Sequence, residues 1–260
     1  MKYYIVSDIH SFYEQLIEVL EEKGFFKNDD NKLIVLGDVL DRGPDPKKVI
    51  DFLLKLHSEN RLIYIKGNHE ELFVDCLQAI SRGEIMDIAC GMSHHYSNGT
   101  YQSLLAIADM QSSIATQFPN ALVAKVMRSD FYRILLPSCI DYYETSTYIF
   151  AHGYIPTFVK GNMPYDKCIY NPDWRNAEPD EWREARWLNG MAVACKHHVI
   201  EPGKTIVVGH FHTSYGHYHY EKKGSELGKK ADFSPFRAEG ILAIDACTAH
   251  SGKMNCIVLE

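Results

Sequence analysis

Five short polar segments constrain this chain more than any other feature: Asp8-Ile9-His10, Gly37-Asp38-Val39-Leu40-Asp41-Arg42-Gly43, Gly67-Asn68-His69-Glu70, Ala151-His152-Gly153 and Gly209-His210-Phe211-His212. Each follows a strand-length run of apolar residues rich in β-branched types. Such runs lie at about 2–7, 32–37, 61–66, 146–151, 205–209, 240–245 and 254–259. Separated as they are by amphipathic stretches, they predict an α/β fold. In α/β sheets ligands gather beyond the carboxyl ends of the strands, where loops converge. No core-packing demand explains Asp, Asn and His recurring there. These side chains are ligands that divalent first-row metals accept.

The intervening stretches read as helices and loops. Ser11 to Glu14 has capping-box spacing and predicts a helix with Leu16, Val19 and Leu20 inward and Gly24 as its stop. A second helix is expected after Pro46, burying Val49, Ile50, Leu53 and Leu56. A third is expected after Glu70, with Leu72, Phe73, Cys76 and Ile80 inward. Residues 85–135 look helical and carry none of the five segments, which suggests a helical cap inserted into a single domain spanning 1–260. Residues 156–183, rich in Pro, Asn and Tyr, read as irregular loop. Residues 221–239, with Lys222, Lys223, Lys229 and Lys230, read as an exposed one. His217 and His219 alternate along a stretch expected to be a half-exposed strand.

At 46% hydrophobic and 23% charged residues, the 260-residue chain has the composition of a globular protein that buries its core without disulfide staples. Its seven cysteines are scattered with no C-x-x-C, as expected of reduced thiols in a cytosolic setting. A strand directly after Met1 leaves no room for a signal peptide. No apolar run approaches the roughly 20 residues needed to cross a bilayer. The formal charge of −7 argues against an extended nucleic-acid-binding surface. A phosphorylated protein, nucleotide or small molecule could still be held locally by metals and a few arginines.

The segments suit that chemistry. On an extended stretch Asp8 and His10 lie two apart and point the same way, a clamp for one ion. Asp38, at the end of its strand, is placed to bridge two ions. Asn68 is neutral, which suits a second ion already sharing a carboxylate, and His152, His210 and His212 complete the set. Two cations roughly 3.5–4 Å apart can hold a phosphate ester and lower the pKa of a bridging water. His69 is then free to protonate the leaving oxygen, with Asp41 orienting its imidazole. Arg42 offers a planar fork for phosphoryl oxygens.

From Tyr3 to about Asn255 this series resembles the calcineurin-like metallophosphoesterases. Gly37–Gly43 matches the G-D-x-x-D-R-G of the phosphoprotein phosphatase branch, and Gly67–Glu70 matches its G-N-H-E. Leu136-Pro137 and Ala151-His152-Gly153 resemble its later blocks. The resemblance implies an α/β/β/α architecture, a two-sheet β-sandwich flanked by helices. It implies two divalent metal ions, Mn²⁺ first, with Fe, Zn or Ni as alternatives. Asp8, His10 and Asp38 would hold the first, and Asp38, Asn68, His152 and His210 the second. The last block is G-H-x-H rather than G-H-T, and in the wider superfamily its second histidine binds metal 1, which adds His212 there. That branch also places a phosphate-gripping arginine between the last two histidine blocks; Arg183 and Arg186 are the candidates. The expected activity is serine/threonine-phosphatase-like hydrolysis of phosphate monoesters by attack of metal-bound hydroxide. Symmetrical hydrolysis of dinucleoside polyphosphates comes second. A scaffolding protein on the same fold is the reading from another class, opposed by the complete ligand set.

Overall fold

The computed structural model describes residues 1–83, 93–160 and 167–260. In its first third, β1 (Tyr3–Val6), α1 (Tyr13–Lys23), β2 (Lys32–Val35), α2 (Pro46–Ser58), β3 (Leu62–Tyr64) and α3 (Asn68–Ser81) alternate. Helices α4 (Ser93–Asn98), α5 (Thr100–Ala108), α6 (Ser112–Gln117) and α7 (Pro119–Arg128) follow, ending in a π-helical turn at Phe131–Leu135. Then come β4 (Tyr143–Glu144), β5 (Tyr148–Phe150), β6 (Thr157–Val159), β7 (Cys168–Tyr170), α8 (Pro179–Ala185) and α9 (Gly190–His197). The chain closes with β8 (Thr205–Val208), α10 (Thr213–Tyr220), β9 (Phe236–Ala238), β10 (Ile241–Ala243), α11 (Thr248–Ser251) and β11 (Ile257–Leu259).

The strands form two main sheets, ordered β11-β1-β2-β3 and β4-β5-β8-β10-β9. Strands β1, β2 and β3 run parallel, as do β5, β8 and β10, while β11, β4 and β9 are antiparallel edges. Side chains alternate across a strand, and each central strand uses both faces. Ile5, Ile34 and Leu36 meet Phe150, Val207, Leu242 and Ile244 between the sheets. Their neighbours Tyr4, Val6, Leu33 and Val35 turn outward onto α1, α2, α3 and the helices that follow. On the far side Ile149, Ile206, Val208 and Ile241 pack against Trp182, Met191 and Val193. With both faces covered, the central strands are apolar throughout rather than alternating. The architecture is the expected α/β/β/α sandwich.

Several local expectations change. Helix α1 ends at Gly24 in the left-handed region (φ 84°), but its N-cap is Phe12, and the buried hydroxyl of Ser11 makes no hydrogen bond. Ser11 itself has φ 61°, which turns its side chain away from the first turn, so the capping box does not form. Residues 85–92 of the expected cap lie outside the described residues; from 93 onward the segment is largely helical, and α5 and α7 pack on α3, with α5 also touching α2. The 156–183 region is not irregular throughout. It holds the antiparallel β6–β7 ribbon and α8, and residues 161–166 lie outside the description. His217 and His219 lie on helix α10, not on a strand.

An ion network stitches the edge of the second sheet. Arg175 donates to both oxygens of Glu144 on β4 and to Glu201, and Lys204 lies 2.7 Å from Glu144. The guanidinium also covers the Trp174 ring at 4.3 Å. Arg175 beside it holds the Glu144 carboxyl down at about 2, below its ordinary value near 4.5. A depressed carboxyl contributes stability above its unfolded pKa and loses it as pH falls through the folded one. Glu144→Gln is therefore expected to lower stability at about pH 6. The gap to the parent should close between about pH 4.5 and pH 2, checked by urea denaturation across that range.

Candidate metal centre

The five segments converge because backbone meets backbone at the sheet ends. At Gly37, φ is 82°, and a Cβ there would stand 2.5 Å from the Gly67 nitrogen and 2.8 Å from His152 Nδ1. A Cβ on Gly67 would lie 2.2 Å from Asp38 Oδ1. Only glycine allows the two loops to touch. Glu70 then fastens them. Its Oε2 accepts from the N–H of Gly67 (2.6 Å) and of Asp38 (2.9 Å), and its Oε1 from Val39 N–H (3.0 Å) and Tyr64 Oη (2.9 Å). This buried carboxylate spans strand β3, the start of α3 and the loop after β2.

The loops carry unusual backbone. Asp8, His10, Asp38, Asp41, Arg42 and His210 all have φ between 46° and 75°, a region that costs non-glycine residues roughly 1–3 kcal/mol each. Asp8 and His10 are therefore not on an extended stretch. Strand periodicity thus does not set where their side chains point.

Two groups of donor atoms result, each within 4.8 Å: His10, Asp38 and His69; and Asp38, His152 and His210. Asp38 belongs to both. The histidines are oriented from behind. His10 Nδ1 donates to the Leu40 carbonyl at 2.9 Å, and His152 Nδ1 to the Leu36 carbonyl at 2.5 Å. That is the outer contact metal-binding imidazoles use to present Nε2. His152 Nε2 then lies 2.8 Å from Asn68 Oδ1 and 3.4 Å from Asp38 Oδ1, so three lone-pair-bearing atoms face one another. A cation among them resolves that crowding. His152 cannot supply one cheaply, since burial lowers its tendency to protonate. The donor set fits divalent metals.

Burial dominates the electrostatics. It pushes the carboxyls of Asp8 and Asp38 up from the ordinary range and the imidazoles of His10 and His210 well down. Arg42 supplies positive charge, bonding His10 Nε2 at 2.7 Å and His69 Nε2 at 3.1 Å. His69 behaves differently from the other histidines. Burial works against its charged form, but the Asp38 carboxylate and a 2.6 Å hydrogen bond from Nδ1 to Asp41 Oδ2 outweigh it and raise its pKa.

Other expected residues are placed elsewhere. Asp8 is buried beside the cluster, but its Oδ2 accepts from the His210 N–H at 3.0 Å, and it is in neither donor group. His212 is also outside both: it caps α10, with Nδ1 3.0 Å from Ser214 Oγ and Nε2 3.6 Å from Glu226. Arg183 and Arg186 pair with acids near α3. The first, exposed, bonds Asp75 at 2.6 Å; the second, buried, bonds Glu71 at 2.5 Å and also Asp141. Those pairs tie α8 and the residue after it to α3 and to Asp141. Two buried carboxylates escaped the sequence reading. Glu70 was visible only as the last letter of a motif. Asp245, at the end of β10, is buried with its carboxyl pushed well up by burial and then by Asp8. Its signal was a strand-end Asp like the others, without a second polar residue beside it.

A profile of the calcineurin-like phosphoesterase family matches residues 1–242. The chain belongs to that family. It is 34% identical over 76 residues to an asymmetrical bis(5'-nucleosyl)-tetraphosphatase of Bacillus velezensis, covering 26% of this chain and 30% of that protein. It is 39% identical over 70 residues to a symmetrical bis(5'-nucleosyl)-tetraphosphatase of Buchnera aphidicola, covering 27% and 24%. The matches thus span less than a third of those relatives. Among solved structures, a cold-active protein-tyrosine phosphatase of a psychrophilic Shewanella species aligns over 100% of this chain and 75% of its own, with a TM-score of 0.52 and 15% identity. At that identity the likeness speaks for the fold alone. No described helix is long and apolar enough to cross a membrane.

Two substitutions probe the centre. Glu70→Gln turns an amide NH2 donor toward backbone N–H donors and is expected to lower stability by about 2–3 kcal/mol and to weaken divalent-metal binding, read by urea denaturation and metal titration. His69→Asn separates the two roles its geometry permits. As a proton donor, it should cost about 10²–10⁴-fold in turnover, least on good leaving groups, with two ions still bound. Loss of an ion on metal analysis would instead place His69 among the ligands.

Proposed function

We propose that this chain is a metal-dependent hydrolase of phosphate esters and anhydrides, acting on dinucleoside polyphosphates. The observation that carries this reading is the pair of donor groups sharing Asp38, the first of which includes His69, held from behind by Asp41. In this reading His10, Asp38 and Asp8 would hold one ion. Asp38, Asn68, His152 and His210 hold the other. His212 joins the first set only by leaving Glu226 and Ser214. Two such ions supply charge neutralisation for the phosphoryl group and an acidified water.

The chain's own residues do the rest. Arg42, whose fork already reaches His10 and His69, turns to phosphoryl oxygens and fixes their orientation. Asp41 holds His69 Nδ1–H, so Nε2 is the atom that passes a proton to the leaving oxygen. The burial of Asp38, His69 and His152 keeps these charges in a medium where each interaction is strengthened.

The choice of substrate is supported by the names of the two tetraphosphatases; serine/threonine-phosphatase-like action on monoesters is the second reading, supported by the Gly37–Gly43 and Gly67–Glu70 segments. The test offers Mn²⁺-loaded protein diadenosine tetraphosphate, a phosphoserine peptide and p-nitrophenyl phosphate. The dinucleotide is expected to lead in kcat/KM by at least about tenfold, a difference of ~1.4 kcal/mol in barrier. Two ADP would mark symmetrical cleavage, and ATP with AMP asymmetrical. Preference for the peptide would establish the monoester reading. Silence on all three with metal bound would favour a scaffold.

A further inference from the structure

The carboxylate of Asp41 is held by more than the imidazole it faces. Its Oδ2 accepts from His69 Nδ1 at 2.6 Å and from Thr100 Oγ1 at 2.8 Å, and its Oδ1 accepts from Ser103 Oγ at 2.6 Å. Ser103 Oγ also accepts the Asp41 backbone N–H at 3.1 Å. Its single hydrogen goes to the carboxylate, which is much closer than the Gly99 carbonyl at 3.3 Å. Thr100, Ser103, Asp41 and His69 are all buried. Both hydroxyls stand on the first turns of α5, in the segment that carries none of the five polar segments. Gly99, the residue before α5, has φ 87°, and a Cβ on it would stand 2.7 Å from the Arg42 nitrogen, so the helix start is pressed against the Asp41-Arg42 backbone.

We infer that Thr100 and Ser103 are positioning residues for proton transfer, acting on His69 through Asp41. This rests on the reading of His69 as proton donor. The torsion that turns an aspartate carboxylate is broad, so one hydrogen bond to an imidazole leaves the pair free to swivel together. Donors on both oxygens remove that freedom. Hydrogen bonds to a charged acceptor are the strong ones, and α5 presents its positive N-terminal end to the carboxylate. The helical segment thereby sets the direction of His69 Nε2 through Asp41.

The decisive variant is Thr100→Val, which removes the hydroxyl and keeps the shape. It is expected to lower kcat on the order of tenfold, as outer-shell partners commonly do, with KM and bound metal unchanged. The loss should be larger for a poor alkyl leaving group than for p-nitrophenol. Thr100→Ser should restore kcat. In a His69→Asn background Thr100→Val should lose its effect, because the interaction acts through that imidazole. Ser103→Ala provides a second probe if Thr100→Val does not fold, with the same leaving-group dependence expected.

The outcomes separate the two layers. If His69→Asn slows the poor leaving group while Thr100→Val and Ser103→Ala leave kcat at the parent value, the positioning role is wrong and the acid stands. A loss equal for all leaving groups, or undiminished in the His69→Asn background, makes the hydroxyls merely structural and also overturns it. If His69→Asn itself has no effect on any substrate, the proton-donor reading falls first.

Discussion

Glu70 binds three backbone N–H groups and a tyrosine hydroxyl with one buried carboxylate, and the rest of the centre depends on it. Asp38 sits in the left-handed region (φ 55°), a conformation that a lone loop would abandon. Two of the donors on Glu70 are the N–H groups of Asp38 and Val39, so the carboxylate holds the strained turn from outside. The third, Gly67 N–H, fixes the start of α3 and with it Asn68 and His69. One side chain thus sets the spacing of three donors that come from two separate strands.

A second tier acts at longer range. The two sheets present their parallel strand ends to the same side, and the inter-sheet core of Ile5, Ile34, Phe150, Val207 and Leu242 sets their separation. That separation brings His152 and His210, from the second sheet, to the Asp38 carried by the first. Carbonyl groups of the loop after β2 then lock the rings: Leu36 takes the Nδ1 proton of His152 and Leu40 that of His10. The packed core and the polar centre are two faces of one arrangement.

The fold was largely legible because its strands are buried on both faces and its helices on one. Leu16, Val19 and Leu20, or Val49, Ile50, Leu53 and Leu56, announce their faces by spacing alone. The failures have a common cause. Ser11 has the residue type of a cap but a φ of 61°, set by the neighbouring loops rather than by its own turn. His217 and His219 have the spacing of a strand, yet helix α10 forms where His217 can bond Glu221 one turn on and the Ser234 carbonyl across. The ribbon in 156–183 pairs Thr157 with Tyr170 and Val159 with Cys168 across an intervening loop, a match that composition does not reveal.

By itself the sequence determined which residue types stand at the strand ends, and so the class of chemistry, because metal ligation demands Asp, Asn and His and strand order brings their loops to one side. Only the tertiary structure decided which of them share a site. Asp38, His152 and His210 are far apart in the chain and meet through the sheet packing; Arg183 and Arg186 fit the expected interval but are drawn to the acids of α3 and to Asp141. Glu70, Thr100 and Ser103 make the same point in reverse. Their work is hydrogen bonding to loops distant in sequence, and a hydroxyl or carboxylate bears no mark of its partner until the chain has folded around both.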